Sequence, residues 1–403
     1  MPFREAWIII GSFLILIGFG VAEPVIAGVG FVILVIGAVT RFWSQHLFDR
    51  VSFTARTSEK RAFIGETVSI DVELENRKLL PLPWYSWRYA VAEQIAVPKE
   101  TLAASAAPGS SWITRRGALG WYEKHTWSFE IEPLERGFHP LGPSTIRSSD
   151  LLGLFPGLKE NADTQHLTVF PRVYRMEDLG LPADRPLGMV RGRNKLFEDP
   201  VRIAGLRDYR PGDPLRRIDW KASARSGDLQ SRVYEPSAEQ QLYVMVNIDT
   251  MEHAWEGYLR DDLERTVSAA ASIATWAAGN RFAIGLLANG AYPNADRPIR
   301  LAPSRSRDQI TRVLEALAVV QPLTMGDLSL QIRRETGRMP VGSTVVVIAS
   351  IIPPSLAGAI LRLRDEGHHV AVIATSERVD PANLAGIPFQ SVSKAFQKME
   401  AAQ

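Results

Sequence analysis

The chain has no cysteine, which excludes disulfides, thiolate nucleophiles and Cys-based zinc sites together. It also lacks an excess of either charge: 46 Lys and Arg stand against 44 Asp and Glu, a formal net charge of +2. Nucleic-acid binding as the main task needs a basic excess on one face to neutralise phosphates, so it is not expected. Histidine is sparse, seven residues in 403, and no pair has the spacing of a zincin motif. His368 and His369 sit side by side at the predicted start of a strand, where neighbours face opposite ways, so solvated or hydrogen-bonded imidazoles are expected there. No Walker-type glycine loop occurs, and no serine sits in a strand-to-helix elbow.

What the chain does have begins at its N-terminus. Ala6 to Ala22 and Pro24 to Thr40 carry no charge; each run is about seventeen residues, the lower limit for crossing a hydrocarbon core of roughly 30 Å. Glu23 and Pro24 supply the turn of a transmembrane hairpin over residues 1–45. A cleaved signal peptide is the alternative, with Gly20, Val21 and Ala22 as the small-residue pattern, but the charge of Arg4 is balanced by Glu5. Arg41, Arg50 and Arg56 follow the second run, which puts both ends on the cytoplasmic side of the membrane. Gly28, Gly30 and Gly37 are expected to let the two helices approach closely.

From residue 51 to about 175 the period becomes two. Val68, Ile70, Val72 and Leu74 share one face and Ser69, Asp71 and Glu73 the other, with Trp127, Phe129 and Ile131 repeating the scheme. Strands broken by Pro and Gly predict an antiparallel β-sandwich. In the cluster Trp84, Tyr85, Trp87 and Tyr89, Trp84 and the preceding Leu79–Leu82 run are candidates for the lipid interface; the alternative is that the rings fill the sandwich core. Residues 176–200, rich in Gly and Pro with Arg185, Arg191, Arg193 and Lys195, read as a linker, solvated or touching anionic lipid. Over 201–390, short apolar strands alternate with longer helices, predicting a mostly parallel sheet covered on both sides. Residues 391–403 read as a tail. The predicted fold class is therefore multi-domain: transmembrane hairpin, β-sandwich, then an α/β domain.

The densest chemistry lies in Gly205 to Glu235, where Arg207, Arg210, Arg216, Arg217, Lys221, Arg225 and Arg232 alternate with Asp208, Asp213, Asp219, Asp228 and Glu235. Such a stretch cannot be an ordinary buried strand, since ionised side chains are rarely buried without partners. Pro211, Gly212 and Pro214 mark a turn. A short helix is predicted from Leu215 to Ala224, with Asp213 as N-cap, Pro214 at its first position, and Ser226 with Gly227 ending it. Asp219 is expected to pair with an arginine, Trp220 to plug the domain core, and Arg217, Lys221 and Arg225 to meet carboxylates.

Tyr209, Gly212, Asp213, Arg217, Ile218, Asp219, Trp220, Lys221, Ala224 and Arg225 together closely resemble the signature of the bacterial domain of unknown function 58 family. The run from Arg136 to Phe155 is similar to the segment that precedes it, with Leu151 and Leu152 where a Pro-Phe pair often stands. The resemblance implies a membrane-anchored protein whose α/β domain is von Willebrand factor A-like (Rossmann-type). It also implies a MoxR-type AAA+ ATPase as partner, and leaves room for envelope or transglutaminase-like proteins as others. In such domains an Asp at the end of the first strand, with two hydroxyl residues at alternate positions, holds Mg²⁺. Here Asp249 is followed by Met251 and His253 at those positions, and Ala349 and Ser350 stand where a Ser-Asp pair often closes a later strand. Asp249 with Glu252 is left as a weak metal candidate, a helix cap being the alternative, and no cofactor is expected.

Two readings of function follow. The first is a non-enzymatic, membrane-tethered scaffold or adaptor for protein assembly or envelope processes, with Tyr209, Gly212, Asp213, Arg217, Asp219, Trp220, Lys221 and Arg225 as docking candidates; alternatively their ion pairs simply lock the entry to the fold. The second is a hydrolase or metal-dependent ligand-binding protein using Asp213 and Asp219 as acid and base, or Asp249.

Overall fold

The computed structural model describes residues 5–105, 108–182, 187, 198–210, 218–236, 241–292, 297–384 and 386–402. Two compact units divide the chain, Met1–Phe170 and Pro171–Gln403.

The first unit opens with two apolar helices, Ala6–Gly20 and Pro24–Gln45. Pro24 stands at the head of the second, where its missing N–H costs nothing. At about 1.5 Å per residue the 22-residue helix is long enough to span a hydrocarbon core; the 15-residue one is not. The helices touch backbone to backbone. A Cβ on Gly18 would lie 2.4 Å from Ala27 N, and one on Gly30 would lie 2.7 Å from Gly11 O. Gly37 holds the Trp7 ring equally tightly, but Gly28 meets nothing within 4 Å. The expected contact at Gly28 is thus absent, because it lies two residues from Gly30 and so on another helix face. Gly11 and Gly18 take its place.

Two sheets follow. One has the order Val51–Thr57, Val68–Asn76, Lys124–Pro133, Ile95–Ala96; the other is built on Gly137–Ser148 and Leu82–Ala92, with Ser110–Leu119 and Gln165–Phe170 outside them. Val68, Ile70, Val72 and Leu74 are buried as their alternation requires. The sandwich is antiparallel except where Arg61–Phe63 runs parallel to Gln165–Phe170. Its core holds Trp87, stacked on Tyr89 at 5.6 Å and edge-on to Trp127 at 5.3 Å. Tyr85, Trp87 and Tyr89 therefore fill the interior, while Trp84 stays at the surface with its indole N–H donating to Ser149 Oγ at 2.7 Å.

The second unit begins at Pro171, a few residues before the predicted boundary. Tyr174 N donates to Ser272 Oγ at 2.9 Å, and Met176, Leu179, Leu181 and Leu187 are buried. The stretch read as a linker is thus partly a packed segment: its leucines were spaced too irregularly to signal an element. Of its four basic residues, Arg185, Arg191, Arg193 and Lys195 all lie outside the described residues.

Six strands form the main sheet in the order Pro298–Ser304, Ala283–Ala291, Gln241–Asn247, Thr344–Ala349, His369–Ala374, Phe389–Ser391. All neighbours are parallel except the first pair. Tyr243, Met245, Val345, Val347, Val370 and Val372 pack with Leu328 and Ile332 of helix Leu328–Thr336 and with Leu356, Ile360 and Leu363 of helix Pro354–Asp365. The alternate residues turn to the other face, against helix Arg260–Gly279. Residues 391–403 are not a free tail: Ser393–Ala401 is a helix, Phe396 is buried edge-on to Tyr174, and Glu400 pairs with Arg265.

Candidate functional site

The signature folds as a hairpin with a helix inserted in it. Strand Glu198–Asp208 pairs antiparallel with Gln230–Pro236, in a register that sets Asp208 opposite Gln230 and Leu206 opposite Arg232. Tyr209, half-buried, closes the strand end with its N–H on Leu229 O at 2.8 Å. Gly212, Asp213 and Arg217 lie outside the described residues, and so does most of the turn expected there.

The helix runs from Trp220 to Ser226, with Asp219 as its N-cap. The expected start at Leu215 is thus displaced, because Ile218 bridges to Ser231 as strand and the cap falls on the next acid. Asp219 Oδ1 accepts from the N–H groups of Lys221 at 3.1 Å and Ala222 at 3.0 Å, while Oδ2 accepts from Arg232 Nε at 3.0 Å. The Ala222 N–H, then the Arg232 guanidinium, hold this carboxyl below the usual carboxylate range. Gly227 ends the helix at φ +82°, a left-handed conformation that favours glycine.

Ser223 is the hidden hub. Its hydroxyl donates to Asp219 O and accepts from Gln230 N, both at 2.8 Å, tying helix to hairpin. The expected pairing of Asp219 with an arginine is found, with Arg232 as the arginine; Ser223 was not singled out from sequence. The signal was available in the four-residue step from Asp219 to Ser223, which places the hydroxyl over the capping residue's carbonyl.

Trp220 corrects an expectation: it is 66% exposed and plugs nothing. It stands at the first position of a seven-residue helix, at the open end, and the buried position is taken by Ser223 one turn on. Lys221 and Arg225 are exposed as well, and among the described residues neither meets a carboxylate. Leu206 and Leu229 are also exposed.

A second polar cluster sits beyond the carboxyl ends of the parallel strands, where open α/β sheets place ligands. Buried Asn289 donates to Asp249 Oδ2 at 2.8 Å and to Asn247 Oδ1 at 3.0 Å, and accepts from Ile248 N at 2.8 Å. Burial, with a smaller push from the charge of Asp327, raises the Asp249 carboxyl to about 6. Asp327 caps helix Leu328–Thr336 through Ser329 N at 2.8 Å. Asp249 is not the cap of helix Arg260–Gly279, whose N-cap position is Leu259 with no side-chain cap; the neighbouring Thr250 Oγ1 accepts from Leu259 N at 2.8 Å and ties the loop to the helix start.

His253 stacks on Trp255 at 4.2 Å and Met251 lies against Arg378. Glu252 is exposed. Among the described residues no three His, Asp or Glu converge as a metal site. His368 is buried, with its Nδ1 unpartnered, and burial lowers its pKa. The expectation of a solvated or hydrogen-bonded imidazole therefore does not hold at Nδ1 of His368, which is buried just before strand His369–Ala374 begins.

The family described as protein of unknown function DUF58 matches residues 205–386, from within the signature hairpin to just before the last strand of the main sheet. The chain is also 26% identical over 320 residues to the uncharacterized protein YeaD of Bacillus subtilis (strain 168), covering 78% of this chain and 73% of that one. Both findings support the DUF58 family. Among solved structures, a cohesin module from a Clostridium perfringens family 33 glycoside hydrolase shares 10% identity, covering 30% of this chain and 96% of its own, at a TM-score of 0.23. The CARDB domain of the PF1109 protein from Pyrococcus furiosus shares 12%, covering 30% and 90%, at a TM-score of 0.20. At such scores the likeness carries no argument about this chain.

Proposed function

We propose that this DUF58 protein is a membrane-anchored, non-enzymatic interaction scaffold whose α/β unit, von Willebrand factor A-like in kind, docks a MoxR-type AAA+ ATPase through the helix Trp220–Ser226. The observation that carries the reading is the surface of that helix, which presents an exposed tryptophan together with exposed Lys221 and Arg225, neither of which has an acidic partner among the described residues. Tryptophan and arginine are the residue types that dominate interface energetics. Asp219 is engaged in the cap and the Arg232 pair, so it holds the helix in place; its lowered pKa also suits it poorly to proton transfer at neutral pH.

The apolar hairpin anchors the chain, and the arginines after it keep the body in the cytoplasm. The test is capture of the ATPase from detergent-solubilised membranes with ATP retained. Trp220→Ala combined with Arg225→Glu abolishes capture at unchanged melting temperature. Equal capture by wild type and variant overturns the docking role, and recovery of no ATPase by wild type overturns the partner. A reporter fused at Gln403 that is active only outside the cytoplasm overturns the topology.

A second reading has its own support in the half-buried Asp249 carboxyl beside Asn247, Asn289 and Asp327: a weak site for a hard cation or a small polar ligand. Millimolar Mg²⁺ or Mn²⁺ then raises the melting temperature of wild type and leaves Asp249→Asn unchanged; no shift in wild type removes the idea.

A further inference from the structure

We propose that the end of the sandwich beside helix Pro24–Gln45 is itself a lipid-contacting surface. In it Leu151, Leu152 and Leu154, with Leu79, Trp121 and Tyr122, enter the boundary between headgroups and acyl chains. The inference rests on that helix spanning the bilayer, and adds a second, peripheral mode of attachment to it.

The leucine loop is built to be apolar on the outside. Asp150, wholly buried, accepts from Leu152 N through Oδ1 at 2.9 Å and from Phe155 N through Oδ2 at 2.6 Å, while its carbonyl takes Gly153 N at 3.1 Å. Gly153 adopts φ +75°, which lets the chain fold back over the carboxylate. Phe155 is thereby tucked inside, and Leu151, Leu152 and Leu154 are left 63%, 59% and 55% exposed. A loop with this much internal bonding that still presents three leucines to solvent calls for an apolar neighbour.

Its position identifies that neighbour. The Arg41 guanidinium lies over the Phe155 ring, 5.8 Å from the centroid, and Arg41 belongs to the last turns of the apolar helix. Gly157 packs so closely on the helix foot that a Cβ there would sit 2.9 Å from Phe48 and 3.0 Å from Leu47. On a second approach, Lys78 Nζ donates to the carbonyls of His46, at 2.5 Å, and Leu47, and Tyr122 N donates to Lys78 O at 3.2 Å. Leu79, Trp121 and Tyr122 are therefore fixed near the same helix end, all exposed.

Leucine, tryptophan and tyrosine with Arg41 and Arg50 nearby are the composition that the interfacial zone of an anionic leaflet favours. The local acids are already engaged: Asp49 with His46 at 2.7 Å, and Glu123 with His125 at 3.1 Å. Lipid is the occupant because the surface continues directly from the lipid-facing side of the helix.

The absence of cysteine makes the test direct. Full-length protein carrying a single environment-sensitive fluorophore at L152C, W121C, V32C or L134C is reconstituted into phosphatidylcholine–phosphatidylglycerol vesicles containing nitroxide lipids. Leu134 follows strand Lys124–Pro133 at the end away from Lys124, about 30 Å distant at some 3.3 Å per residue, and serves as the water-facing control. Headgroup-level nitroxides quench the labels at 152 and 121, deep nitroxides quench the label at 32, and neither quenches the label at 134. Quenching at 32 with none at 152 or 121 overturns this inference alone. No quenching at 32 overturns the spanning helix, and the inference with it.

Discussion

Asp219 divides its two carboxylate oxygens between jobs: one caps the helix that begins at Trp220 and the other holds Arg232 on the facing strand at 3.0 Å. Helix and hairpin thus share one anion. Because the folded pKa is held below its unfolded value of roughly 4, the stability this group contributes is fully present above about pH 4 and is lost as pH falls through the folded value. Asp219→Ala should lower the melting temperature at pH 7 and flatten the acid limb of the stability profile. Asp219→Asn, which keeps the cap but not the charge, should fall between. Calorimetry from pH 2 to 7 reads both.

Asp249 has the opposite sign. Its carboxyl is raised to about 6, so the folded state binds the extra proton and stability declines as pH rises from about 4 to 6. Asp249→Asn should remove that decline. After discounting for partial solvent access, the gain at pH 7.5 should be on the order of 1 kcal/mol, read as a shifted denaturation midpoint whose difference from wild type vanishes near pH 4.

Trp87 is wholly buried between Tyr89 and Trp127. Trp87→Ala should cost roughly 3–5 kcal/mol in sandwich stability. Trp84→Ala, at the surface, should cost little beyond its hydrogen bond to Ser149. Chemical denaturation of the two variants side by side checks the contrast.

Gly18 and Gly28 make a matched pair ten residues apart. Gly18→Leu should force the apolar helices apart, since even a Cβ lands 2.4 Å from Ala27 N, whereas Gly28→Leu should be tolerated. Thermal aggregation of the full chain in detergent, with the Gly18 variant failing at lower temperature, reads the difference.

Periodicity carried most of the architecture in advance. Val68, Ile70, Val72 and Leu74 announced a strand by alternation, and the short apolar runs expected over 201–390 include the strands Thr344–Ala349 and His369–Ala374. What escaped was decided by tertiary context. Pro298–Ser304 is an edge strand with too little apolar surface to stand out, and Leu328–Thr336 is too short for a strong helical pattern. In the signature, composition showed that the segment must be polar but not which acid would cap the helix. Asp213 and Asp219 both carry the right chemistry, and only the Ile218–Ser231 bridge separates them. Trp220 was misplaced because a large aromatic was assigned to a core that Ser223 already closes. Around Asp249 the missing hydroxyls were legible, but Asn289, about forty residues away, was not.

The strand Gln241–Asn247 pairs on one side with Ala283–Ala291 and on the other with Thr344–Ala349, Leu242 facing Thr344. A ribosome therefore delivers the middle of the main sheet long before one of its flanking strands exists. Until that late strand emerges, the nascent chain carries an open row of backbone donors and acceptors. Truncation after residue 291 and before residue 344 should thus leave that edge open for good and yield a chain that aggregates.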